Sequence, residues 1–364
     1  MSIRFRGGFD VAGAEARRLA YIDGLRLVGA GAVVIQHLFE RFPTPWAKLL
    51  VAPAPGVFGV VLFFMISGFV IPFSVRAGLD VRAFAIRRIT RIYPVYLVVL
   101  ALALLAGIMD VAPYFRRITD AGIADWIANL LLVQDFTHAP AFYSVSWTLA
   151  IEFIWYALFV CLMKTAGPRA GTISAIAAPA VMILLTIASL GAGMRIPLGR
   201  PGMIYAAVLG YQTYRYHEGV IGARAWHANI AAFLLVTLAS NFVAFGYFHH
   251  PKITLMQAIG PWTAALVLFV AAVRFPAIRG NRGLANPYVV GIGAASYSIY
   301  MMHPLAIALA AHLGAAMFII PAALLLTLGM AILSYRFIEL PGIRLGRSLS
   351  ARTPLVQRPA AATL

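Results

Sequence analysis

Ten stretches of this sequence run for most of a bilayer's thickness with almost no charge. They lie at about 25–40, 56–74, 89–109, 146–163, 173–193, 202–216, 228–248, 255–273, 290–312 and 316–338. A helix crosses the hydrocarbon core with about 20 mostly apolar residues. Composition agrees with that reading. Of 364 residues, 62% are hydrophobic and 11% charged, and the mean hydropathy is +0.87. A soluble domain carries about 25% charged residues. Eleven per cent cannot coat the two or three soluble domains this length would otherwise form. The expected fold class is all-α: a polytopic membrane helical bundle of about ten transmembrane helices. The amphipathic stretch 125–135 is too short to cross, and reads as an interfacial or re-entrant piece in the long loop after the third span.

The charge balance is 29 Lys and Arg against 12 Asp and Glu, a net of +17. In a soluble protein that would point to nucleic acid. In a membrane protein it is an orientation signal, because cytoplasmic loops collect Lys and Arg. With the N-terminus inside, 20 of the 29 fall in cytoplasmic segments. Seven fall in outer loops: Arg41, Lys48, Arg116, Arg117, Arg195, Arg200 and Lys252. Both termini are therefore expected on the cytoplasmic side of a cell inner membrane, with the bilayer as partner and no nucleic acid. Residues 1–20 read as a polar, basic cytoplasmic segment and not as a cleavable signal. The tail 342–364, rich in Arg, Pro and Ala, is expected to be cytoplasmic and unstructured. The single cysteine, Cys161, permits no disulfide within one chain.

Ionisable residues at bilayer depth are costly, and are functional candidates by default. Arg26 and His37 share the first span, eleven residues apart. At about 100° per residue they fall within roughly 20° of one face, about 16 Å apart along the axis. A lone His in an apolar helix is often a packing residue; a His and an Arg on one face argue for a site. Glu40, three residues past His37, is within reach to orient the imidazole. Glu152 lies in an aromatic run from Tyr143 to Tyr156. A buried carboxylate there must be paired or protonated, as an ion pair between spans or for acid–base work. Ser296, Tyr300 and His303 project to one face of a late span, and Pro304 is expected to kink it. Asp23, Glu40, Arg336 and Glu339 lie near span ends, where long side chains reach water cheaply. The densest basic run is Arg82, Arg87, Arg88 and Arg91. It either anchors topology or binds phosphates, since Arg forks match phosphate geometry.

Six runs in order resemble acyltransferase family three, the integral-membrane O-acyltransferases of bacterial surface glycans and related molecules. Tyr21-Ile-Asp23-Gly24-Leu-Arg26, followed after ten residues by His37, is similar to the family's Arg–ten–His signature. Phe63-Phe64-Met-Ile-Ser67-Gly68-Phe69 is similar to its run in the second span. Arg87-Arg88-Ile-Thr-Arg91-Ile-Tyr93-Pro94 resembles its basic run into the third. Ser146-Trp147-Thr-Leu-Ala-Ile-Glu152, Ser296-Tyr297-Ser-Ile-Tyr300-Met-Met-His303-Pro304 and Tyr335-Arg-Phe-Ile-Glu339-Leu-Pro341 resemble later motifs. Thr148 stands where the family often has Ser. The resemblance covers residues 21–341 as a membrane acyltransferase domain, in the stand-alone form without a fused esterase-like domain.

The resemblance implies an acyl-coenzyme A co-substrate, usually acetyl-CoA, reached from the cytoplasm, with no bound cofactor and no metal. The acceptor is a hydroxyl, commonly on a glycan. Carried over, His37 is the catalytic histidine, Arg26 its motif partner and Glu152 a second acid. Arg87, Arg88 and Arg91 are donor-binding candidates. His37 acts as general base on the hydroxyl, or forms a covalent acyl-His37. Ser67, Tyr300 or His303 stabilises the oxyanion. The rival reading is a transporter or flippase of a surface-glycan precursor without chemistry, which ten spans and buried charges would also suit.

Overall fold

The computed structural model describes residues 19–76, 78–280, 282–313 and 318–351, and among these every regular element is a helix. The main helices are α1 (Tyr21–Arg41), α2 (Pro55–Val70), α3 (Val81–Ile108), α4 (Ile123–Leu130), α5 (Trp147–Ala166), α6 (Ala170–Gly191) and α7 (Gly199–His217). They continue as α8 (Ala223–Asn241), α9 (Leu255–Arg274), α10 (Pro287–Ala294), α11 (Ser296–His312), α12 (Ile319–Ser334) and α13 (Leu340–Ala351). Seven helical segments among the described residues are long and apolar enough to cross a membrane, or up to eight if the bent pair α10–α11 is one span. The expected ten crossings are thus not established by length and composition, although a helix lies on each of the ten stretches. Two facts separate the counts. One qualifying segment is Trp147–Gly191, 45 residues long, and Gly167 between α5 and α6 has φ 52°. The other is α7, which carries Arg200, Gln212, Thr213, Arg215 and His217 among its 19 residues and does not qualify.

The core is built on α2. Its Val61, Leu62, Met65 and Phe69 are fully buried, and α1, α7 and α9 all pack on it. Small residues make that possible. A Cβ on Gly68 would sit 1.8 Å from the backbone oxygen of Ala207, and one on Gly210 would sit 2.0 Å from that of Met65. Lipid tails are as apolar as Leu, so helix association in a bilayer rests on close packing, which small residues permit. The same device docks α13 on α3, where a Cβ on Gly342 would lie 2.3 Å from the oxygen of Thr90. By contrast Ile176, Leu184, Leu325 and Ile332 stay largely exposed on α6 and α12, as suits faces turned to lipid.

Three expectations are corrected. The tail is not unstructured throughout: Leu340–Ala351 is helical because Gly342 and Gly346 let it lie against α3. Residues 352–364 and 1–18 lie outside the described residues. The sharp bend in the late span, 64°, falls between Ala294 and Ser296 and not at Pro304, which stays inside α11. Glu339 does not reach for water. A π-helical turn over Tyr335–Glu339 leaves it fully buried.

The long loop after α3 folds back onto the bundle. It holds α4 and a turn at Gln134–Thr137, so the stretch 125–135 is short helices, not a span. Fully buried Asn129 ties the loop down. Its Nδ2 donates to the oxygens of Asp125 and Pro140, and its Oδ1 accepts from the Phe142 amide. That anchoring brings Tyr143 against α11.

Candidate active site

A cavity of about 120 Å³ opens between α1, α2, α3, α5 and α11. Arg26, Ser67, Arg88, Arg91, Glu152 and Tyr300 all line it. Six of the nine sequence-chosen residues, from five helices, therefore face one space. Arg87 is not among the lining residues. Its Cα lies 3.3 Å from where a Cβ on Gly346 would be, so that stretch of α3 faces α13.

The charges around the cavity are ordered by neighbours. Arg26 Nη1 pairs with Asp23 Oδ1 at 2.7 Å, one turn back on α1. Arg88 Nη2 donates to Ser74 Oγ at 3.2 Å, and its guanidinium lies over the rings of Phe84 and Tyr156 at 5.2 and 5.4 Å. Its Nε is buried with no hydrogen-bond partner among the described residues. Arg91 Nη2 stands 4.0 Å from Glu339 Oε1, and Ser298 Oγ donates to Glu339 Oε2 at 2.7 Å. Tyr156 OH donates to Glu152 Oε1. The lining thus presents three guanidinium groups against one carboxylate. Arg forks of this kind match phosphate and carboxylate ligands.

The three oxyanion candidates differ in what their polar atoms already do. Ser67 Oγ is buried without a partner among the described residues. Tyr300 OH lies 2.9 Å from Thr148 Oγ1, which itself donates to the oxygen of Val145. The phenol also reaches the Val145 oxygen at 3.4 Å, so its proton is already engaged within this cluster. His303, fully buried, has both ring nitrogens engaged.

His37 and His303 do not line the cavity; they form a pair beyond it. His37 Nδ1 and His303 Nε2 are 2.8 Å apart. The ring planes differ by 8° with centroids 5.1 Å apart, so the bond runs edge to edge within both planes. Phe63 and Tyr300 line the cavity and meet at 5.8 Å, and Tyr300 lies 5.8 Å from the His303 ring. The histidine pair thus sits one aromatic layer past the cavity. Glu40 does not orient His37, as the spacing predicted. It accepts from Gln36 Nε2 at 2.6 Å instead, and His303 takes its place.

Two residues gained importance that sequence spacing had not given them. Glu339, read as a span-end residue, is the buried carboxylate facing Arg91; its place in the closing motif was the available signal. Tyr143 donates to the oxygen of Met301 at 2.6 Å and accepts from the Leu305 amide at 3.2 Å. It thereby bridges the helical ladder beside Pro304. Nothing local in the sequence marks that contact across 158 residues.

Over residues 19–338 the chain matches the acyltransferase domain of acyltransferase family three. It is 32% identical over 151 residues to the acyltransferase MdmB of Streptomyces mycarofaciens, covering 39% of this chain and 38% of that protein. It is 25% identical over 373 residues to proteins that bear the name O-acetyltransferase in Staphylococcus aureus strains COL and N315, covering 90% of this chain and 58% of theirs. The chain thus spans less than two thirds of the length of these relatives. No solved structure matches it at a significant level. With the ordered motifs, the shared cavity and the domain match over most of its length, this multi-pass membrane chain belongs to acyltransferase family three.

Proposed function

We propose that the chain transfers an acyl group, acetyl in the first instance, from acyl-CoA to a hydroxyl of a glycan or related acceptor. The observation that carries this is the basic cavity lying one aromatic layer from a hydrogen-bonded pair of histidines, His303 buried and His37 partly so. Arg88 and Arg91 take the donor's phosphates and Arg26 the polar stem, so that the thioester points through the cavity toward the histidine pair. The acceptor O–H gives its proton to His37 and its oxygen attacks the thioester carbon. Ser67, the candidate with no partner among the described residues, donates to the resulting oxyanion. Collapse breaks the C–S bond, and the departing thiolate takes the proton from His37. An acyl-His37 route would use the same residues.

Ten crossings with both termini cytoplasmic go with this reading. Gly167 in its left-handed conformation divides a 45-residue segment, which at about 1.5 Å per residue is twice a bilayer core, and α7 is buried on enough sides to carry its polar residues. The 20:7 cationic bias then puts the basic run of α3 on the cytoplasmic side, where acyl-CoA is made. Membership of an acyltransferase family weighs against the transporter reading.

Mass spectrometry of surface glycans tests the proposal. A strain lacking this chain should lose one acyl group, restored by the wild-type chain and not by His37→Ala. Unchanged acylation in the deletion strain would refute it.

A further inference from the structure

The hydrogen bonds around Pro304 fix more than the position of His303. Proline has no amide proton, so Pro304 leaves the carbonyl of Tyr300, one turn back, without its helical donor. His303 Nδ1 lies 2.7 Å from that oxygen. A carbonyl only accepts, so the hydrogen is on His303 Nδ1. His303 is fully buried, and no carboxylate is hydrogen-bonded or ion-paired to it among the described residues. A charged imidazolium there would be uncompensated. The ring is therefore neutral, and its Nε2 carries a lone pair. That lone pair faces His37 Nδ1 at 2.8 Å, in the plane of both rings. His37 must donate, so its hydrogen is on Nδ1 and its Nε2 is bare.

We propose that the His303-Pro304 pair sets the tautomer of His37 and so makes His37 Nε2 the reactive nitrogen. The relay runs from His37 Nδ1–H to His303 Nε2, and from His303 Nδ1–H to the Tyr300 carbonyl. His303 is a positioning residue: it holds the first ring in plane and accepts from the imidazolium that forms when His37 takes the hydroxyl proton. A second-layer group that fixes which nitrogen is protonated is a recurrent need of histidine bases; here a neutral histidine fills it, and a proline supplies the carbonyl that fixes that histidine in turn. Tyr143 supports the arrangement by bridging Met301 and Leu305, which keeps α11 helical through the proline. The reactive-nitrogen claim rests on the reading of His37 as the catalytic base. The tautomer claim does not.

Nitrogen-15 NMR of the full chain labelled at histidine, held in lipid nanodiscs above neutral pH, separates the two. The signals are assigned by their loss in His37→Ala and in His303→Leu. Both rings should show a protonated Nδ1 and a bare Nε2, although an unconstrained neutral histidine favours the opposite form. In His303→Leu the His37 ring should revert to protonated Nε2. His37 protonated at Nε2 in the wild-type chain would overturn the proposal, and needs no variant to fold. In acetyl transfer, His303→Leu should lower kcat on the order of 10²-fold or more with KM for acetyl-CoA unchanged. His303→Gln, whose amide oxygen can accept from His37, should recover at least a tenth of the wild-type kcat. Equal loss in both variants, or full activity in His303→Leu, would overturn the positioning role. Full activity of His37→Ala with the tautomers as stated would overturn the functional reading alone.

Discussion

At the scale of single residues, the cavity sorts groups that sequence spacing could only pool. At about 100° per residue, Arg91 points between Arg87 and Arg88, so helical phase alone cannot choose between them. The neighbours choose: α13 covers the Arg87 side of α3, and the cavity takes Arg88 and Arg91. Arg88→Ala should raise KM for acetyl-CoA by 10-fold or more, since a hydrogen bond to a charged group contributes about 1.5–3 kcal/mol, while kcat changes little in steady-state kinetics. Ser67→Ala should do the reverse, lowering kcat on the order of 10²-fold, as loss of one oxyanion donor does, at constant KM. That Arg26 and His37 share one helix was legible from the sequence. The link of His37 to His303 was not. It joins residues 266 apart, and only packing of α1 against α11 makes it.

At the scale of elements, hydropathy located the helices well and their breaks poorly. Every apolar stretch read from the sequence lies on a helix. Pro304 looked like a kink, yet side chains of Tyr143 and His303 satisfy the carbonyls around it and the helix runs on. The bend sits at Ala295, where α10 docks on α1: a Cβ on Gly293 would lie 1.9 Å from the oxygen of Asp23. Glu339 was misread for a similar reason, since a π-helical turn rotates it inward and no hydropathy pattern reports one. Close glycine packing gives a direct stability test. Gly68→Ala must push α2 off α7 and should cost about 1–3 kcal/mol or more, seen as a lower melting temperature in detergent and reduced transfer. Gly31→Ala meets nothing within 4 Å and, with Ala the better helix former, should leave melting unchanged or raise it.

At the scale of the whole molecule, the chain is a helical bundle with a basic cavity and a histidine pair one aromatic layer beyond it. The proposed topology rests on the distribution of Arg and Lys, not on the helix count. In a Cys161→Ser background, Lys252→Cys should react with an impermeant maleimide applied outside intact cells. Arg224→Cys should react only after permeabilisation. Labelling of both from the same side would contradict the ten-crossing arrangement.

The most direct measurement is the initial rate of acetyl transfer from labelled acetyl-CoA to a hydroxyl acceptor by purified chain in nanodiscs, beside His37→Ala that melts at the wild-type temperature. General acid–base catalysis contributes about 10²–10⁴-fold. The wild-type chain should transfer label saturably, and His37→Ala should fall by that order. Equal rates in the two would contradict the assignment of His37 and, with it, the active site described for this chain.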